Sequence, residues 1–511
     1  MSRGETKQWI SAHTDRCPQR VQVAFVGSKF VPSTNRSDTT PQLDPKLPNA
    51  PLLRIFATPS PRMTTPTDTA PAAAPAPRKI NYVNLALYAL IALGCALRIY
   101  EVIVHNPRDH LWSDPQRHWD HASMPLIPSP MALFDQPVFQ IWLSVVEKFT
   151  MGLGPLIAVY AGALSIITPW CWYRFLRATL SSKTLALAGW AVIALLPSWI
   201  GIYSYFMTET LFLPALGLSL WITMRAKRKK TLESFLTMVI CWIFCGLTRG
   251  IGIPLAGVAA LWVWLWHPLK LRTALWSALM IAAVLAPISY RNYYYVKLWA
   301  PQGNGWLNKI YAESGAREIQ LHLTRNGAVW LYGFGSPSID SRPFAPFSDW
   351  TSKRSGLVEV FVDFNNGEQD WKNTFKKTAK QGPERWQLHV ENLVFLFFGN
   401  SWPDNNPAYF MGSLANLSRW LWAPAFILLL ALSLLRAKAV CSRPLLPLVI
   451  ATGLFFQGWM LLVPNEGRYR KPFEGLLVCQ ALLLLDLRRR KPSTTSIIPP
   501  ENVPDKPEPA A

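Results

Sequence analysis

Apolar residues in this chain come in long unbroken runs separated by short polar segments. Runs of roughly 17–22 residues match the length that an α-helix needs to cross a bilayer core. A soluble chain of this size alternates shorter amphipathic stretches instead. The runs predict about ten spans: Tyr82–Val104, Leu153–Tyr173, Leu185–Tyr203, Thr208–Met224, Leu232–Thr248, Gly252–Trp266, Ala274–Tyr290, Arg419–Leu435, Leu445–Val463 and Phe473–Leu487. The expected fold class is an all-α polytopic membrane protein.

Two longer segments interrupt this alternation. Residues 105–151 follow the first span and include Met131–Phe149, predicted as an interfacial or re-entrant helix. There Phe139, Trp142, Leu143 and Val146 repeat at helical spacing beside Gln140, Glu147 and Lys148. Residues 291–418 are rich in Trp, Asn, Gly and Pro and too long for a connector. They predict a small, mixed, mostly helical domain. Residues 81–290 and 419–491 then form the membrane part. Residues 1–80 are rich in Pro, Thr, Ala and Ser without apolar periodicity, and with the tail 492–511 they are expected to be disordered. Met63 opens a Thr/Pro/Ala run that leads into the first span, so it is the expected start and 1–62 an expected gene-model extension.

The formal net charge is +21. Such a balance first raises nucleic acid, but most of it sits in short loops. These carry Arg174, Arg177 and Lys183; Arg225, Lys227, Arg228, Lys229 and Lys230; Lys270 and Arg272; Arg436, Lys438 and Arg443; and Arg488, Arg489, Arg490 and Lys491. These loops contain no acid and alternate with the others, which makes them cytoplasmic by the positive-inside rule. Both termini are then cytoplasmic, and no nucleic-acid partner is needed. None of the seven cysteines lies in 291–418, so no disulfide staples that segment. Cys241 and Cys245 share a helix face without a His or acid and read as packing residues rather than a metal pair.

With this orientation, Asp114, Asp120, Glu209, Arg249, Arg291, Glu466 and Arg468 all fall on the outer face, although they come from five separate stretches. Ionisable groups at the edge of apolar spans are costly and mark a site. Pro115 disfavours helical backbone at Asp114, so its carboxylate is expected at a corner of the loop. There it is either a general base or an ordinary solvated acid. His118 and His121 are either hydrogen bonded or ligands of a divalent metal with Asp114 or Asp120. Glu209 opens an apolar run, which favours an acid by the helix dipole but also demands partners. Arginine forks match phosphate oxygens, whereas Arg470 and Lys471 read as snorkelling to headgroups. Trp306, Trp330, Tyr332, Trp350 and Trp402 stack on sugars or form a domain core.

Asp114 with Arg117-His118-Trp119, the Met207-Thr208-Glu209-Thr210 turn, Arg291-Asn292-Tyr293 and Glu466-Gly467-Arg468-Tyr469-Arg470-Lys471-Pro472 together resemble the GT-C superfamily. These are integral-membrane glycosyltransferases that use polyprenyl-phosphate sugars, such as protein O-mannosyltransferases and the aminoarabinose transferase of lipid A. The resemblance spans about residues 80–490. It implies that Asp114 activates the acceptor hydroxyl, with Asp120 the alternative base because the second acid follows six residues on instead of adjacent. It implies that Glu209 shapes the site and that Arg117, Arg249, Arg291 and Arg468 hold the donor phosphate, with inversion at the anomeric carbon. The acceptor is a lipid, glycan or protein, and the setting a bacterial inner membrane with an extracytoplasmic site. No cofactor is fixed, and a divalent metal is left open. A transporter or flippase of lipid-linked saccharides and a non-catalytic scaffold are the rival readings.

Overall fold

The structure, a computed structural model, describes residues 81–123, 131–303, 305–335, 356–441, 453 and 467–489. The expected disordered segments 1–80 and 492–511, the span Leu445–Val463, and the residues Trp350 and Glu466 lie outside the described residues. From Val83 onward the described residues belong to one compact unit.

The chain is mostly helical. The first ten helices are α1 (Tyr82–Val104), α2 (Ser113–Ala122), α3 (Pro137–Thr150), α4 (Gly154–Thr179), α5 (Lys183–Ala194), α6 (Pro197–Gly201), α7 (Thr208–Lys229), α8 (Leu232–Thr248), α9 (Gly252–Trp264) and α10 (Lys270–Val296). Then come α11 (Gly305–Ser314), α12 (Glu368–Thr378), α13 (Gly382–Phe398), α14 (Phe410–Ser418), α15 (Trp422–Leu435), α16 (Ala437–Cys441) and α17 (Arg470–Arg489).

Four segments are long and apolar enough to cross a membrane: Tyr82–Asp109, Gly154–Thr179, Lys270–Val296 and Phe410–Leu435. The pair Lys183–Ala194 and Pro197–Ser204, bent by 60°, makes a fifth if it counts as one span. The expected ten are not reached among the described residues. Helices α8 and α9 are apolar but shorter. Helices α7 and α17 carry charge at their ends, Glu209 and Lys227 to Lys229 on one, Arg470, Lys471 and Arg488 on the other.

Prolines sit inside or between several of these helices, and buried side chains donate to carbonyls that the missing N–H groups leave open. Pro169 inside α4 and Pro197, the first residue of α6, have no N–H for Ser165 and Ile193, four residues earlier, and the backbone gives Ile193 O a long bond from Leu196 N at 3.4 Å. The fully buried Arg98 of α1 donates to both, from NH1 to Ser165 O at 3.0 Å and from NH2 to Ile193 O at 3.0 Å. It also donates to Ala194 O at 3.0 Å and Trp199 O at 2.9 Å. Pro214 likewise orphans Thr210 O, which accepts from the Tyr203 hydroxyl at 3.2 Å. In hydrocarbon such groups have no water to turn to. Arg98 was not singled out from the sequence, where it reads as one charge inside an apolar run.

The all-α expectation needs one correction. Within 291–418, where a mixed domain was expected, β1 (Glu318–Arg325), β2 (Ala328–Gly335) and β3 (Leu357–Asp363) form a sheet in the order β2-β1-β3. β1 pairs antiparallel with β2 through Asn326-Gly327, both at positive φ, the two-residue turn that suits a twisted hairpin. β1 pairs in parallel with β3. Ile319, Leu321 and Leu323 of β1 alternate into a core with Ile310 and Trp371. Trp306, Trp330 and Tyr332 pack against that core, and Trp402 is buried in the main helical core, so these aromatics are packing residues.

The predicted interfacial stretch Met131–Phe149 is a 3-10 turn, Met131–Leu133, followed by α3. Phe139, Leu143 and Val146 are buried inside the protein, where an interfacial helix would turn them to the membrane surface, and Gln140 is buried too, its amide donating to Ala132 O at 3.0 Å.

Replacing Arg98 by Met leaves several buried carbonyls without donors, and is expected to cost at least about 3 kcal/mol. Thermal unfolding in detergent checks this. Arg98→Lys should recover part of the loss, and a melting temperature unchanged in Arg98→Met contradicts the role.

Candidate active site

Five separate segments bring their charges to one end of the helix bundle. Helix α2 is positioned by Trp119, which stacks on Phe206 with ring centroids 4.4 Å apart, in a cluster with Phe139, Leu143 and Leu211. The turn Met131–Phe134 plugs into the core of the sheet domain, Phe134 against Trp371, and so fixes the following Asp135. Glu209 sits in the first turn of α7, and Arg249 caps the C-terminal end of the neighbouring α8. Arg468 lies in the turn Gly467–Tyr469 before α17. A Cβ on Gly467 would overlap the Gly399 and Asn400 carbonyls, so glycine lets this turn press against the loop after α13.

The ion pairs form a chain. Asp114 accepts from Arg117 NH1 at 2.5 Å and from Arg468 NH1 at 3.0 Å. Arg117 reaches on to Asp135, Nε to Oδ2 at 3.1 Å and NH2 to Oδ1 at 3.2 Å, a bidentate fork. Arg249 NH1 lies 2.6 Å from Glu209 Oε1, and Arg468 Nε lies 3.9 Å from the same oxygen. Thr208 Oγ1 donates to Glu209 Oε2 at 3.0 Å. Tyr469 lies under both Arg249 and Arg468, 4.6 and 5.4 Å from ring centroid to guanidinium.

These groups border a cavity of about 600 Å³ whose wall includes Asp114, Arg117, Asp135, Arg249 and Arg468. Part of its wall comes from the 291–418 segment, with Asn308, Lys309 and Glu313 of α11 and Arg385 of α13. A cavity of this volume is of ligand size, and its wall is mostly apolar with convergent polar groups.

Burial alone would raise the Asp114 and Asp135 carboxyls, but Arg117 overrides it at both, helped at Asp114 by Arg468. Both are held well below the usual carboxylate range. Burial, only partly offset by Asp135, pushes His118 down to about 4. His118 is therefore neutral at pH 7.

The expected site residues divide. Asp114, Arg117, Glu209, Arg249 and Arg468 come together. Asp120 does not join them: it is exposed on α2 and is not in the cavity wall. Arg291, near the end of α10, turns to Asn292 Oδ1 with bonds of 3.2 and 3.1 Å and is also outside the wall. Asp114 is not at a loop corner. It lies in the first turn of α2, where a proline is tolerated, behind Ser113 at φ 55°.

Arg470 and Lys471 do not snorkel. Both are buried: Arg470 pairs with Glu474 at 2.9 Å, and Lys471 with Asp404 at 2.7 Å. His118 and His121 face Asp135, at 3.8 and 3.0 Å. Among the described residues no group of three or more His, Cys, Asp or Glu is arranged to hold a metal ion. The sequence reading missed Asp135, although Phe134-Asp135-Gln136-Pro137 places an acid just before a proline-led helix.

Neither protein-family models nor curated proteins give a match to this chain.

The low His118 pKa has a definite sign. The unfolded chain binds a proton near pH 6.5 and the folded one only near 4, so stability falls as pH drops through that window. The slope is at most about 1.4 kcal/mol per pH unit. Melting temperatures between pH 7 and 4 should show this limb, flattened in His118→Gln. An equal slope in both proteins contradicts it.

Proposed function

We propose that this chain is a multispanning glycosyltransferase of GT-C type, which takes a sugar from a polyprenyl-phosphate carrier at the outer face of the membrane. The acceptor is a lipid, glycan or protein. The observation that carries this reading is the meeting of Asp114, Glu209, Arg117, Arg249 and Arg468 at one cavity beside the ends of apolar helices. The basic and aromatic opposite end of the bundle supports the orientation: Arg174 lies 4.5 Å from Trp221, and Lys227 4.9 Å from Trp262. In this reading about ten spans cross the membrane, the shorter and end-charged helices included.

The chemistry follows from the ion pairs. Asp114 is ionised but occupied by two guanidinium groups, which makes it a weak base at rest. An arriving donor phosphate competes for the same forks. When Arg468 turns to a phosphate oxygen, Asp114 loses a cation and becomes more basic. Asp114 then takes the acceptor hydroxyl proton, the acceptor oxygen bonds to the anomeric carbon, and the carbon–oxygen bond to phosphate breaks. The electron pair leaves on the lipid phosphate, where Arg249 and Arg468 stabilise its charge. Attack opposite the leaving group inverts the anomeric centre. Glu209 holds Arg249 and Arg468 in register.

One feature favours transport as a second reading: the break between α5 and α6, since transporters often bind substrate at broken helices. Here Arg98 already occupies the carbonyls of Ile193 and Ala194 at that break, which leaves them closed to a ligand.

Membranes supplied with radiolabelled polyprenyl-phosphate monosaccharides test the proposal. Asp114→Asn should lower transfer per folded molecule roughly 10²–10⁴-fold, the range of a lost general base, with a lower melting temperature because Arg117 and Arg468 lose a carboxylate, but still folded at the assay temperature. Arg468→Gln should raise the donor KM about tenfold for one lost charged contact. Arg291→Ala should leave the donor KM within about twofold, as expected for a site outside the wall. Wild-type transfer by Asp114→Asn removes it as base.

A further inference from the structure

The cavity wall holds a second set of charges, on α11 and α13, and its balance differs from that of the arginine chain. Arg117, Arg249 and Arg468 are matched by Asp114, Asp135 and Glu209, each within 4 Å of at least one arginine. In the same wall, Arg385 is matched by the buried Glu313, Nε to Oε2 at 3.0 Å and NH2 to Oε1 at 3.1 Å. Lys309 has no such match. Among the described residues it is the cation of the cavity wall with no carboxylate in ion-pair range. Its ammonium rests on aromatic rings instead, 4.4 Å from the centre of Phe375 and 5.4 Å from that of Trp306.

An ammonium on ring faces is held in place without being neutralised. The unmatched positive charge among these wall residues therefore lies on α11, outside the chain of ion pairs that holds the arginines. Asn308 beside it also lines the cavity and offers an amide donor. The local backbone is anchored: Ile310 is fully buried, and Glu313 is clamped by Arg385. An anionic oxygen arriving here finds a point charge without displacing a carboxylate, whereas at the arginines it must compete with one.

We propose that Lys309, with Asn308, is a phosphate seat in this cavity, separate from the arginine chain. For its place in a reaction this rests on the lipid-phosphate reading above, and it would take either the carrier phosphate or a phosphate on the acceptor. The seat itself is a matter of binding, so it stands or falls without any transfer.

The test uses the purified full chain in detergent, with inorganic phosphate and dodecyl phosphate as probes in isothermal titration calorimetry. Wild type should bind dodecyl phosphate. Lys309→Gln should weaken that binding about tenfold, with melting unchanged because the side chain is only half-buried. Lys309→Arg should restore it to within about threefold. Inorganic phosphate that binds and shows the same Lys309 dependence identifies the seat as one for the anion alone. Dodecyl phosphate binding alone with that dependence identifies it as one for a lipid headgroup. Binding unchanged in Lys309→Gln but lost in Arg468→Gln overturns the proposal, as does a wild type that binds neither probe. Lys309-dependent binding in a protein that transfers no sugar supports the seat and counts against the transferase reading.

Discussion

Charge matching governs this molecule. Three guanidinium groups and three carboxylates meet at the ends of α7, α8 and α17, and none of them is stable there alone. Removing one partner leaves another buried and uncompensated, so the six groups hold one another and the segments that carry them. The α2 helix, the turn before α3, the α7–α8 pair and the turn before α17 are tied together at this point. The same rule acts deeper in the bundle, where Arg98 answers carbonyls freed by Pro169 and Pro197. Polar groups are thus placed by the need for a partner, and the cavity forms where the matched groups leave space.

That arrangement constrains the chemistry. A carboxylate bridged by Arg117 and Arg468 is an anion held ready rather than an active base. A ligand that draws one guanidinium away changes its basicity without moving the backbone. A phosphate does this, and a neutral sugar does not. In the proposed reading, the pairing that stabilises the site would therefore also select a phosphate-bearing substrate. The proposed seat at Lys309, whose ammonium rests on Phe375 and Trp306, would add to that selection.

Much of this was legible in the residues. Asp114 stands out because it precedes Pro115 in the first long outer segment, Glu209, Arg249 and Arg468 because each borders an apolar run, and the structure brings the four together. Arg291 stands out for the same reason yet turns to Asn292, because sequence shows a depth but not the direction of a side chain around its helix. Asp135 was invisible because its importance comes from Arg117 and His121, which the fold brings into contact with it although they lie on the preceding helix, eighteen and fourteen residues earlier. Arg470 and Lys471 read as headgroup contacts because the loop after α13, which buries them against Asp404 and main-chain carbonyls, is distant in sequence. The sheet was hidden by a segment whose alternation is short and whose β3 lies far from β1 along the chain.

The central claim is that this cavity performs transfer from a lipid-linked sugar at the outer face. The most direct measurement supplies labelled polyprenyl-phosphate sugar to the outer leaflet only of sealed right-side-out vesicles containing the protein. The account requires label to appear in an extractable acceptor, with the freed polyprenyl phosphate in equal amount. Label that crosses to the inner leaflet with the sugar still on its carrier would contradict it and point to transport instead.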